Sequence, residues 1–225
     1  MCFSASASFG AGILLSAVGV ASLTKVHDKA EILFAAIPLV FGVQQISEGL
    51  LWLSFSGYLS LSLQAPATFI FLFFAQSVWP LMVPLSILKF EKNIKRKKIE
   101  RVLTFIGAVV AVYLTYCLIN FHVQATVVGQ HISYRQDYPV NLGRFGGILY
   151  LLATLLPPFI SGIKKMWALG SAILISYFLT VIFYEEYVIS VWCFFASVIS
   201  LVVLFIMYTV EKTPRPNLQE ARLSI

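Results

Sequence analysis

Charge is scarce in this sequence. Lys, Arg, Asp and Glu make up 12% of its 225 residues, against about a quarter in an ordinary soluble domain, while 59% are hydrophobic and the mean hydropathy is +0.87. A solvated globular domain is thereby excluded, and the chain reads as an integral membrane protein. Cysteine is equally sparse: Cys2, Cys117 and Cys193 form no CxxC and have no histidine at zinc-finger spacing, which excludes a disulfide framework and a zinc module. The three histidines, His27, His122 and His131, all fall between apolar runs. A bis-histidine haem inside a helical bundle therefore has no axial ligands, and neither HxxxH nor HExxH occurs. No P-loop and no GxGxxG is present, so nucleotide-driven work is unsupported. The last apolar run carries no lysine for a retinal Schiff base. A basic leader before the first apolar run is also missing, so that run reads as a retained span and not as a secretory signal.

What the chain has in abundance is long apolar runs. A helix crosses a bilayer with about 20 such residues, and seven spans are predicted at 4–24, 30–55, 63–90, 101–121, 145–163, 166–184 and 187–210. An all-α, polytopic transmembrane bundle of seven helices follows, occupying residues 1–210, with a polar, proline-interrupted tail at 211–225 that is expected to be disordered. Pro80 and Pro84 predict a kink in the third span, and Pro157 and Pro158 another in the fifth.

The basic residues orient the bundle. Lys25 and Lys29, the seven between Lys89 and Arg101, Lys164 and Lys165, and Lys212, Arg215 and Arg222 all lie in alternate connections, leaving only Arg135 and Arg144 on the other side. Because short cytoplasmic loops are enriched in Lys and Arg, the N-terminus is expected outside and the C-terminus in the cytoplasm. The +6 net charge then reports topology, and a nucleic-acid partner is not expected. The stretch KFEKNIKRKKIER (89–101) reads as a cytoplasmic basic loop, a topology determinant whose functional counterpart is attraction to anionic headgroups at about 1 kcal/mol per charge. On the opposite side, HVQATVVGQHISYRQD (122–137) has β-branched residues flanking Gly129 and Gln130, and predicts a short external β-hairpin.

One span is anomalous. AEILFAAIPLVFGVQQISEGLLWLSF (30–55) carries Gln44, Gln45, Glu48 and Trp52, and Gln44, Glu48 and Trp52 recur at i, i+4, i+8 on one helical face. A carboxylate within a span costs at least ~2.5 kcal/mol on insertion scales, so it is expected to face the bundle interior and to mark function. Gln76 and Trp79 of the third span share a direction at i, i+3, and Glu186, Ser190, Cys193, Ser197 and Ser200 form a polar stripe on the seventh. An outward-facing polar pocket lined by Glu48, Gln44, Gln45, Gln76, Trp52, Glu186 and Cys193 is the expectation. The plainer readings stand beside it: glutamines as interhelical glue, Trp52 as an interfacial aromatic, and Ser8, Gly12 and Ser16 as a close-packing stripe.

MCFSASASFG at the N-terminus, FGVQQISEGLLWL in the second span, GQHISY in the external loop and SVWCFFAS in the seventh together resemble a family of uncharacterised bacterial seven-span membrane proteins that begin MCFSA-x-ASF. The resemblance implies the topology, and with it a bacterial cytoplasmic membrane, but no activity, cofactor or catalytic residue. Function is therefore left between classes. The first is binding or transport of a small molecule, ion or lipid at Glu48. The second is a metal-dependent intramembrane hydrolase acting on a lipid, in which Glu48 with His122, His131, Asp137 or Glu186 would hold the metal, Cys2 being a further candidate ligand. A membrane sensor is the third, disfavoured by the short cytoplasmic segments.

Overall fold

The computed structural model describes residues 4–183 and 195–211. Seven helices are found among them: α1 (Ala5–Leu23), α2 (Lys29–Phe55), α3 (Leu61–Phe90), α4 (Ile94–Asn120), α5 (Val140–Ile160), α6 (Met166–Phe183) and α7 (Ala196–Glu211). α1 to α4 and α6 are each long and apolar enough to cross a membrane, whereas Phe145–Ile160 and Ala196–Glu211 are shorter apolar helices. Helices adjacent in sequence pack on one another from α1 to α6, and α7 closes the ring by packing against α6, α1 and α2. Glu186, Cys193 and Cys2 lie outside the described residues, as does the 212–225 portion of the predicted tail.

The α1–α2 pair is the tightest contact, and small residues permit it. A Cβ on Gly12 would sit 2.8 Å from Ile46 Cγ1, and one on Gly42 would sit 2.5 Å from Ser16 Oγ. Ser16 in turn donates to the Gly12 carbonyl at 2.8 Å. This is the close-packing stripe expected of Gly12 and Ser16, in which backbone approach substitutes for apolar burial. Asp28 and Glu31 start α2 with a reciprocal capping box.

α3 changes pitch where the prolines predicted a kink. Phe73–Val78 is a π-helical segment immediately before Trp79–Pro80. Pro80 has no N–H for the carbonyls one turn back, and the hydroxyl of Tyr150 on α5 donates instead to the Ala75 carbonyl at 2.7 Å. Ser77, in the same segment, accepts from Thr115 of α4 at 2.8 Å. The freed Ala75 carbonyl is thus met by α5, and the Thr115–Ser77 bond ties the same segment to α4.

The hairpin forms as read, with β1 (Val123–Val128) and β2 (His131–Gln136) antiparallel and Val128 paired with His131. Gly129 takes φ +61 at the first central turn position, the place a two-residue II′ connection reserves for glycine. Cross-strand partners share a face, so Val123 and Gln136, Ala125 and Tyr134, and Val127 and Ile132 form one side. Ile132 and Tyr134 of that side pack onto the bundle, with Tyr134 stacked on Phe71 at 5.0 Å.

The basic stretch departs from expectation. Only Glu91 to Asn93 is non-helical; Asn93 caps α4 by accepting from the N–H groups of Lys95 and Arg96. Lys95, Arg96, Lys97, Lys98 and Arg101 therefore stand on the first two turns of a helix and not on a loop. The Asn93 cap meets two of the first N–H groups, and Lys and Arg are good helix formers, most of whose side chains stay exposed on these turns.

Candidate functional site

The polar face of α2 is buried along its length. Gln44, Gln45 and Trp52 are buried, and Glu48 is 0% exposed. Gln44 serves the α2–α3 junction: its Oε1 accepts from Trp79 Nε1 at 2.8 Å, beneath a Phe41–Trp79 stack with centroids 3.8 Å apart. Glu48, one turn further, accepts at Oε2 from Gln45 Nε2 at 3.4 Å. Another turn on, Trp52 packs among Leu51, Ala67 of α3, Ala5 of α1 and Ile132 of the hairpin.

Three polar atoms at this level have no hydrogen-bond partner among the described residues: Gln45 Oε1, Trp52 Nε1 and Ser8 Oγ, each fully buried. Ser8 belongs here by register, because the ring of its neighbour Phe9 lies against Gly49. Leaving such a group unmet in an apolar interior costs about 1–3 kcal/mol. One acceptor (Gln45 Oε1), one donor (Trp52 Nε1) and a hydroxyl that can be either (Ser8 Oγ) are thus left unmet on the turns level with a buried carboxylate.

Gln76 is placed elsewhere. Its Nε2 donates to Gln136 Oε1 at 2.9 Å, and its Oε1 accepts from the Tyr138 hydroxyl at 3.1 Å. These bonds tie α3 to the base of the hairpin. Burial pushes the Tyr138 phenol well above its ordinary range, so it acts as a donor throughout the physiological range. Gln76 is a latch for the hairpin, and no hydrogen bond joins it to Glu48.

The proposed metal ligands are dispersed. His122 is exposed before β1, and His131 pairs with Val128 on the face of the hairpin turned away from Ile132; burial lowers the His131 pKa. No group of three His, Cys, Asp or Glu placed to hold a metal occurs among the described residues. Cys117 is a buried free thiol. Ser200 of the α7 stripe is buried, and its hydroxyl has no partner among the described residues.

A second set of buried acids, at the opposite end of the bundle, escaped sequence reading. Glu91 Oε1 accepts from the N–H groups of Lys92 and Asn93, both at 2.9 Å, while Oε2 accepts from Ser161 Oγ at 3.0 Å and from the Gly162 N–H. One carboxylate therefore clasps the α3–α4 turn to the α5–α6 turn. Glu100 is 0% exposed, and neither of its oxygens has a partner among the described residues. The signal for Glu100 was available: with Leu103, Gly107, Val110 and Ala111 it falls on the buried stripe of α4. Its basic neighbours made it look like surface.

Neither a curated protein nor a solved structure matches the chain. A family model matches residues 1–220, nearly the whole length, and the chain belongs to that family, a family of unknown function (DUF6629).

Proposed function

We propose that this is a seven-span membrane protein, N-terminus outside and C-terminus cytoplasmic, whose outward-facing polar cluster around Glu48 binds or transports a small polar molecule or ion. The observation that carries the reading is the trio of buried, unmet polar atoms Gln45 Oε1, Trp52 Nε1 and Ser8 Oγ beside a carboxylate of no exposure. Within a membrane an ionisable residue such as Glu48 marks function by default. The unmet donor and acceptor suit a polar molecule that offers both a hydrogen and a lone pair, and the carboxylate suits a cation.

The orientation is supported by the basic residues. Lys25, Lys29, the run from Lys89 to Arg101, Lys164 and Lys165 all fall at the helix ends opposite the hairpin. The hairpin then covers the outer end of the cluster through Ile132 and Tyr134, with Gln76 holding its base.

The test is thermal unfolding of the purified protein against a panel of small polar solutes and monovalent cations, for wild type, Glu48→Gln and Trp52→Phe. A ligand that raises the wild-type Tm is expected to lose at least tenfold in affinity with Glu48→Gln, a loss of about 1.4 kcal/mol. Tm without ligand should change little, because Gln is close in shape and can still meet Gln45. A large fall in unliganded Tm, with no solute distinguishing the variants, would make Glu48 a packing residue.

A further inference from the structure

The basic turns of α4 stand directly above its lipid-facing stripe. Lys95, Lys98 and Arg101 are exposed, and so are Val102, Phe105, Val109 and Val112, which continue the same face along the helix. At 100° per residue, Lys98, Val102, Phe105 and Val109 lie within about 60° of one another, opposite the buried Glu100. α4 has 27 residues, about 40 Å of helix, so its first two turns extend past a hydrocarbon core of about 30 Å.

The fold adds charge to this end that sequence distance conceals. The Glu91 clasp brings the α5–α6 turn alongside, and a Cβ on Gly162 would lie 2.6 Å from Arg96 Nη1. Lys164 and Lys165 follow on that turn, both exposed, and the exposed Trp167 has the Lys165 ammonium 5.9 Å above its ring. The two acids nearby, Glu91 and Glu100, are buried, and no basic residue from Lys92 to Arg101 or at 164–165 makes an ion pair among the described residues.

We infer that this surface is a binding site for anionic phospholipid, with acyl chains along Val102, Phe105 and Val109 and the phosphate on Lys95, Lys98 and Arg101. Continuity of the cationic turns with an exposed apolar stripe selects a lipid over a free phosphate: only a molecule with both parts covers both surfaces. Lys164 and Lys165 extend the site toward a headgroup carrying a second phosphate. The site is separate from Glu48 and rests only on the membrane reading of the long apolar helices.

The experiment is native mass spectrometry and thermal unfolding of the full chain in neutral detergent, titrated with phosphatidylglycerol, cardiolipin, phosphatidylcholine or inorganic phosphate. Wild type is expected to retain and be stabilised by the two anionic lipids, cardiolipin the more, and by neither phosphatidylcholine nor phosphate. Lys95→Gln with Lys98→Gln should weaken anionic lipid about 25-fold, about fivefold for each charge. Lys164→Gln should weaken cardiolipin more than phosphatidylglycerol. Lys25→Gln, whose ammonium is committed to Glu211 at 3.5 Å, should leave both unchanged. Equal stabilisation by phosphatidylcholine, or by inorganic phosphate, would overturn the proposal, as would lipid binding indifferent to the double substitution.

Discussion

Gly107→Val is expected to lower the stability of the protein by about 3 kcal/mol, at the upper end of what overpacking costs in a close-packed interior. A Cβ at Gly107 would fall on the carbonyl oxygen of Pro80, backbone that cannot rotate away as a side chain can. The crossing is this close because the π segment and the two prolines reshape α3 where α4 passes it, while Tyr150 and Thr115 hold the reshaped segment in place. Even Gly107→Ala should destabilise, against the intrinsic preference of a helix for alanine. Gly146→Ala supplies the contrast: nothing lies within 4 Å of the added carbon, and stability should stay level or rise slightly. Denaturation in a fixed detergent, followed by tryptophan fluorescence, to which the buried Trp52 and Trp79 contribute, measures all three.

Glu91→Ala should cost about as much, for a different reason. Four donors from two turns converge on this carboxylate, and the substitution leaves the Gly162 N–H and the Ser161 hydroxyl in a part-buried turn without their acceptor. Buried donors stripped of a charged partner cost about 1–3 kcal/mol each, and water at the helix ends offsets some of it. The pH dependence is distinctive. Burial by itself raises the carboxyl, but hydrogen bonds from Asn93, Gly162, Ser161 and Lys92 outweigh it and hold the group below the ordinary carboxylate value. A folded-state pKa below the unfolded one gives stabilisation that is complete above the unfolded value and is lost as pH falls through the folded one. Wild type should therefore lose Tm steeply below about pH 4.5, and Glu91→Gln should start lower and fall less over the same window. Parallel pH profiles would show that the clasp holds no charge.

How far each feature was legible depended on whether its cause was local. The hairpin was, because Gly129 and Gln130 between β-branched runs specify turn and register within a dozen residues. So was the close contact of α1 and α2, since Gly12 and Ser16 permit it whatever lies beyond. The start of α4 was not: a run of seven basic residues looks like a solvated loop, and the Asn93 cap carries weight only once Glu91 anchors the preceding turn elsewhere. Gln76 and Trp79 illustrate a subtler failure. Three residues apart on an α-helix share a face, but Gln76 lies within the π segment and Trp79 directly follows it, and the wider turns there sweep less of the circle per residue. Gln76 therefore reaches Gln136 and Tyr138 while Trp79 reaches Gln44. Glu48 was conspicuous as a charge in an apolar run, whereas Glu100, just as deeply buried, was masked by the lysines and arginines around it. The unmet status of Gln45 Oε1 and Trp52 Nε1 is a property of the assembled interior and had no sequence signal.

The most direct measurement is an experimental density map of the protein in lipid nanodiscs at a resolution that shows ordered solvent. Non-protein density within hydrogen-bonding distance of Gln45 Oε1 and Trp52 Nε1, beside Glu48, is what a polar binding site there predicts, and Glu48→Gln should weaken it. A cluster filled by the protein's own side chains, with those atoms satisfied internally and no density beyond the polypeptide, would contradict the account and leave Glu48 as part of the bundle's packing.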